Sequence, residues 1–421
     1  MTNDASGHQD PAMRMIEEFN MICDTGGRLS GTASEVAAVA LLKTLGAEAT
    51  GVEARVETTD YQGWRAKEAN LTGADGQSWP VNALVRSPST PPGGIEAEVI
   101  DLGRGSPEEF DAHRDEIPGR IVLVRHELMF APATIHRRKK IQAAIAAGAV
   151  GFLIAGPAAG APVAGSAGTD LDPRLPAAGI SPDTAQALAR SASGRPRVTL
   201  RIEVEESPAQ AENLFFEIPG PEAGWITLSA HIDGHDLGES AIDNASGLAV
   251  ALEVARRLAP AVADGGRGLR LAFFNVEEWA LTGSAEHLAR QGQTDIDAVA
   301  LNVNLDSVAG GAHLTALTSD FPGIEPFLLR CAEDAGVPLG LYRPLQMNSD
   351  HGNFAMAGVP SFRLVAGFGD PFAEARFVLT PLDTRHRVQP EELIRAADLA
   401  EAMTAAALRA TPETVAAWRA R

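Results

Sequence analysis

The sequence holds only two cysteines, Cys23 and Cys331, separated by most of the chain. So small a supply excludes a disulfide framework and fits a reducing compartment, with both thiols expected in the core. Positive charge is also scarce. Lysine and arginine number 35 against 55 aspartates and glutamates, a net charge of −20. A surface of that sign repels a phosphate backbone, which excludes nucleic acid as a partner. No apolar run is long enough to span a bilayer, so no membrane partner is expected. The first residues show no basic segment followed by an apolar one, so no secretory signal is read there and the expected compartment is the cytoplasm. No fixed-period repeat stands out, which argues against a solenoid.

What is present is material for a large core. Hydrophobic residues make up 45% of the 421 and charged residues 21%, the balance of a soluble globular protein. That length exceeds what one core supports, so two folding units are expected. Helical spacing runs from Pro11 to Leu45 with a break at Gly26 and Gly27, and a strand is expected over Ala49 to Tyr61. Turn formers at Ser87 to Gly94, and mixed turn and polar residues at Glu205 to Ala211, bracket a segment with its own pattern. It reads as the strand Arg120 to Val124, the helix Arg138 to Ala147 and the strand Val150 to Ile154, a parallel βαβ unit. The expectation is an inserted domain over residues 89–206, set into a catalytic domain built from residues 1–88 and 207–421.

Beyond the insertion, strands and helices alternate. The strand Trp225 to Ala230 leads to the helix Ser246 to Leu258, and the strand Leu269 to Val276 to the helix Ser284 to Gln291. The strand Ala298 to Leu305 follows, and a helix over Glu391 to Arg409 closes the pattern. This order predicts an α/β fold: a mixed, largely parallel sheet with helices on both faces. Ligands in such folds bind beyond the carboxyl ends of the strands.

Three of these strands end in polar clusters: Ser229-Ala230-His231-Ile232-Asp233, continuing through Gly234-His235-Asp236 to Asp243-Asn244-Ala245-Ser246-Gly247; Asn275-Val276-Glu277-Glu278; and Asn304-Leu305-Asp306-Ser307. His231, Asp243 and Asp306 supply one imidazole and two carboxylates, a donor set suited to zinc, manganese or cobalt with a position left for water. Asp233, two residues after His231 on the same side of an extended chain, is expected to orient the ring. Glu277 and Glu278 point to opposite sides if the strand continues, so one faces the water and the other reaches a metal. Glu277 is expected as general base and Glu278 as a further ligand.

Taken in order, these clusters resemble the metallopeptidase family that holds bacterial zinc aminopeptidases, glutamate carboxypeptidase, glutaminyl cyclase and the transferrin receptor. Gly27-Arg28-Leu29-Ser30-Gly31-Thr32 is similar to its N-terminal signature, and Ile117 to Gly156 to the protease-associated domain often inserted in it. The resemblance implies His231 and Asp306 on one metal, Asp243 bridging, Glu277 as base and Glu278 on a second metal. That second metal also needs a histidine in a Tyr-His-Thr-Pro-x-Asp-Thr pattern. The matching stretch here is Val378-Leu379-Thr380-Pro381-Leu382-Asp383-Thr384, with Leu379 at the ligand position. Leucine cannot coordinate, so the expectation is one divalent ion per chain, with His351 and His386 as candidate replacements near the substrate. Arg376, Arg385 and Arg387 flank the altered position as candidate cations for a substrate carboxylate.

The main functional expectation is hydrolysis of a carbon–nitrogen bond in a small amine-bearing molecule with one metal-bound water. Release of ammonia from an aromatic amine such as 5-nitroanthranilate is a specific case. The alternative is a two-metal aminopeptidase or dipeptidase, in which Glu239 or Asp236 meets the substrate amine. A third reading is a receptor-like protein without catalysis. Both enzymic readings take a small molecule as partner, and the sequence leaves homo-oligomerisation undecided.

Overall fold

The computed structural model describes residues 10–168, 173–190 and 195–420. Its first helix, Pro11–Asp24, starts where the Asp10 side chain accepts from the Ala12 amide and proline takes an early helical position. The second, Ala33–Thr50, is capped by Thr32 and closed by Gly51 at φ 73°. It therefore runs over the start of the expected strand, which begins instead at Arg55 and continues to Gly73.

A second correction concerns Glu205 to Ala211. The turn-former count marks it as a linker, yet it lies inside a 22-residue strand, Arg197–Ile218. Arg55–Gly73 pairs antiparallel along its length, with Arg65 opposite Glu205 and Thr59 opposite Ala211. That partner takes the backbone groups on one side of the strand, which a linker would leave to water. The long strand is also the seam of the molecule. Its first residues pair with Ile95–Asp101 and its last with Gly268–Phe274.

Beyond the seam the sheet runs through Gly268–Phe274, Trp225–His231, Val299–Leu305, Ser361–Ala366, Leu314–Leu317 and Leu339–Tyr342. The pairings among the first four, and that of Leu314–Leu317 with Leu339–Tyr342, are parallel, while Arg197–Ile218 with Gly268–Phe274 and Leu314–Leu317 with Ser361–Ala366 are antiparallel, giving the expected mixed, largely parallel sheet. All seven residues of Val299–Leu305 are buried, as a strand covered on both faces requires. Leu214, Phe216, Leu271 and Phe273 join the core under the helices Ser246–Val262 and Pro390–Leu408, while Phe215, Ala272 and Phe274 join Leu288 and Phe354 on the other face. That is the period of two that a pleated strand imposes.

On the far side of the seam, Ile121–Arg125 and Gly151–Ala155 pair in parallel around the helix Arg137–Ala146. The βαβ expectation is met. Its segment from His126 to Lys140 reaches over the carboxyl ends of the central strands, held by bonds from Tyr342 Oη to the Pro132 carbonyl (3.1 Å), Gln346 Nε2 to the Ala131 carbonyl (3.1 Å) and the Gly369 amide to the Phe130 carbonyl (2.6 Å). Both cysteines are buried free thiols. Among the described residues no helix is long and apolar enough to cross a membrane.

Candidate metal centre

Because the central strands are parallel, their carboxyl ends fall on one edge and bring the three polar clusters together. His231 ends its strand with its ring buried. Its Nδ1 donates to the Asp233 carbonyl at 3.0 Å, which leaves the Nε2 lone pair for a metal. Nε2 lies 3.0 Å from Asp243 Oδ1 and 3.5 Å from Asp306 Oδ1. Ligand atoms of His231, Glu277 and Asp306 all fall within 4.8 Å of one another. One imidazole and converging carboxylates, buried together, fit a divalent cation.

Each of these groups is held from behind. Asp383 accepts from the Ile242 amide at 2.7 Å and the Asp243 amide at 3.3 Å, fixing the turn that presents Asp243. Asn244 joins that turn to the next strand end: its Nδ2 donates to the Leu305 carbonyl, and its Oδ1 accepts from the amides of Gly247 and Ser307. A Cβ on Gly247 would stand 2.3 Å from that Oδ1, so only glycine permits the clamp. Asp306 accepts from Arg363 Nη2 and Ser307 Oγ, both at 3.1 Å. Burial alone would raise its pKa, but Arg363 and His231 outweigh burial and hold the carboxyl below its ordinary range. For Glu277 burial wins, and its carboxyl is pushed well above the usual value.

Asp233 acts differently from the expectation. The His231 ring is fixed by its main-chain oxygen, and the nearer carboxylate oxygen stays 3.9 Å away. The carboxylate instead accepts from the amides of Glu277 (2.9 Å) and Glu278 (3.1 Å). The two glutamates do not alternate along a strand either. The strand stops at Phe274, and Val276 takes φ 51°, turning the chain so that both side chains enter the site.

A second locus adjoins the first. His235 Nε2 faces Glu278 Oε1 at 2.5 Å with no hydrogen-bond geometry, and among the described residues that nitrogen has no hydrogen-bond partner. The ring is 3% exposed. A buried imidazole nitrogen and a carboxylate oxygen, both donor types for a divalent cation, meet there. The N-terminal signature builds this loop. A Cβ on Gly27 would lie 1.6 Å from the His235 carbonyl oxygen, and buried Arg28 donates to the carbonyls of Ile232, Glu239 and Ser240. Sequence reasoning passed over His235. The only signal was a second histidine four residues after the first in a loop rich in acids.

Leu379 lines the same cavity of about 440 Å³ as Asp243, Glu277, Glu278 and Asp306. Its side chain thus stands by the site without a donor. The proposed replacements lie elsewhere: His351 is fully buried and absent from the cavity wall, and His386 is exposed to solvent. The flanking arginines are committed as well. Arg385 pairs with Asp24 (2.8 Å) and Glu239 (3.0 Å), Arg387 pairs with Glu374, and Arg376 approaches Glu374 and lies over the Phe377 ring. The Arg385 pair also occupies Glu239, and Asp236 is exposed, so neither acid stands in the cavity wall.

Fold and donor set together define an α/β domain with a candidate metal centre at its strand ends and a second domain set over it. Residues 213–404 match the model of peptidase family M28 and residues 84–188 that of the PA domain. It is 28% identical over 329 residues to the probable lipoprotein aminopeptidase LpqL of Mycobacterium tuberculosis and 26% identical over 291 residues to carboxypeptidase Q of Mus musculus. Those alignments cover 71% and 65% of this chain, and the chain spans about three-fifths of each relative, 62% and 61%. Among solved structures, a zinc aminopeptidase from Bacillus subtilis superposes with a TM-score of 0.74 over 94% of this chain and 95% of its own at 23% identity, a likeness of fold.

Proposed function

We propose that the chain is a metallopeptidase that binds two divalent ions and hydrolyses the peptide bond of short peptides. The observation that carries this reading is the His235–Glu278 pair. His231, Asp243 and Asp306 hold the first ion, and His235 with Glu278 and a share of Asp243 holds the second, in place of the histidine that Leu379 replaces. The aminopeptidase and carboxypeptidase relatives support a peptide over an aromatic amine, and so does the engagement of the arginines expected to bind an anthranilate carboxylate.

When bound, such ions supply Lewis acidity toward the scissile carbonyl and lower the pKa of water. The chain provides the proton handling. Glu277, next to both loci, takes the proton of the attacking water and returns it to the leaving amine. Its amide and that of Glu278 are pinned by Asp233, so the carboxylate keeps its place through both transfers. The PA-domain segment over the strand ends limits entry to small substrates and excludes bulk water.

Metal analysis of protein loaded with zinc or manganese, combined with a dipeptide and aminoacyl-anilide assay, tests this. The expected result is two ions per chain and turnover of at least one peptide substrate. His235→Ala should then retain one ion and lose the other's affinity by at least the roughly 10- to 100-fold that supporting residues contribute. One ion in the parent protein, or two in His235→Ala, overturns the assignment.

A further inference from the structure

The groups behind the first locus do not all come from the domain that carries its ligands. Arg363 holds Asp306, and its nitrogens all point edge-on: Nη2 to Asp306 Oδ1 at 3.1 Å, Nε to the Asp306 carbonyl at 3.2 Å and Nη1 to the Asn348 carbonyl at 2.8 Å. Bonds of this kind leave the flat faces of the group to be covered. A guanidinium is weakly hydrated there and stacks on aromatic rings. One face of Arg363 meets the Phe130 ring, with 4.7 Å between the guanidinium carbon and the ring centroid. Arg363 is 1% exposed and Phe130 2%. Phe130 belongs to the PA domain.

Main-chain bonds seat the ring. Three successive carbonyls of the PA-domain segment, those of Phe130, Ala131 and Pro132, accept from the Gly369 amide (2.6 Å), Gln346 Nε2 (3.1 Å) and Tyr342 Oη (3.1 Å). All three donors lie outside the PA domain. Gln346 stands two residues before Asn348, whose carbonyl Arg363 uses, and Gly369 follows the strand Ser361–Ala366 that carries Arg363. The latch is therefore made on the loops that frame the guanidinium. Phe130 and Arg363 both line the cavity, so with the ring gone cavity water reaches the uncovered face and screens the pair with Asp306. A group that orients a ligand contributes to metal affinity without touching the metal.

We propose that Phe130 is a positioning residue of the metal centre: by covering Arg363 it keeps the Asp306 carboxylate in its ligand orientation, so that docking of the PA-domain segment and ion binding at the first locus are linked. This rests on the first locus of the proposed function and on neither its second ion nor its peptide substrate. Linkage is reciprocal. Whatever factor the docked segment adds to ion affinity, the ion adds to docking.

The test measures zinc affinity of the full chain by competition with a chromophoric chelator, for the parent and for Phe130→Ala, Phe130→Leu and Phe130→Tyr, with thermal unfolding of the metal-free proteins to verify folding. The expected result is an affinity of the tighter ion lowered about 10-fold in Phe130→Ala and Phe130→Leu, with recovery to near the parent value in Phe130→Tyr. Leucine keeps apolar bulk and loses the aromatic face, so a packing role alone predicts that it behaves as the parent does. Parent affinity in Phe130→Ala or Phe130→Leu overturns the proposal, and so does an equal loss in all three variants. Hydrogen exchange reads the reciprocal effect at the Gly369 amide, the donor to Phe130. Zinc should slow that exchange in the parent and slow it less in Phe130→Leu, while the Gly119 amide, bonded to the Gly148 carbonyl elsewhere in the PA domain, stays unchanged. Exchange at Gly369 that ignores zinc overturns the linkage. Neither readout needs turnover. A parent that cleaves no peptide but shows this ranking upholds the inference while the peptidase reading falls, and a parent that binds no zinc overturns both.

Discussion

The His231 locus and the His235 locus occupy the same edge of the same sheet, but they are framed differently. At the first, the imidazole is locked by the Asp233 carbonyl, Asp306 by Arg363 and Ser307, and the Asp243 turn by Asp383 and Asn244. At the second, the His235 amide is held by Ser240 Oγ at 2.9 Å and the Glu278 amide by Asp233, but the ring nitrogen meets only the Glu278 carboxylate among the described residues, and no hydrogen bond fixes it. The first locus sits on strand ends and the second on a loop that the N-terminal signature holds in place. Ligands fixed in advance lose less freedom on binding, so the first locus should fill first and hold its ion more tightly.

The largest effect that tests this contrast is on rate. If Glu277 is the proton carrier of the proposed two-ion site, Glu277→Gln should retain both ions and lose about 10²- to 10⁴-fold in kcat. His231→Ala should instead lose the tighter ion, read by metal analysis after dialysis. Retention of full metal by His231→Ala would place the tight ion elsewhere and reverse the ranking.

Stability gives the next effect. Arg363 is 1% exposed, pairs with Asp306, donates to the Asn348 carbonyl at 2.8 Å and packs over the Phe130 ring. Arg363→Met leaves Asp306 buried beside other acids. Metal-free protein should lose about 3–5 kcal/mol in denaturant unfolding, with much of it recovered on adding a divalent ion that takes over the charge. A loss that metal does not reduce would mean that Arg363 serves packing rather than the first locus.

The difference between the loci also marks what could be read in advance from the sequence. Strand ends were legible, since apolar runs such as Leu269 to Phe274 show where a parallel sheet stops and the polar residues after them must then share an edge. Their relation to one another within each turn was not. The reversal at Val276, and the substitution of the Asp233 carbonyl for its carboxylate, depend on backbone angles that no side-chain pattern encodes. His235 was hidden for a further reason: its position is set by Gly27 and Arg28, about 200 residues away. The stretch from Glu205 to Ala211 misled because its polar residues lie on an open ribbon, where alternation of burial is weak.

The finest test concerns Leu379 itself. It lines the cavity at φ 67°, and its carbonyl accepts from the Ala164 amide at 2.7 Å, so backbone and PA domain already hold the position where the family places its histidine. If His235 stands in for that histidine, one imidazole at either place is enough. Leu379→His in the His235→Ala background should restore the second ion, read as a return from one to two ions per chain. Leu379→His alone should tighten the second ion by a smaller factor, because the ring would join a ligand set that is already sufficient. A histidine at 379 that restores nothing would show that this locus has been rebuilt around His235.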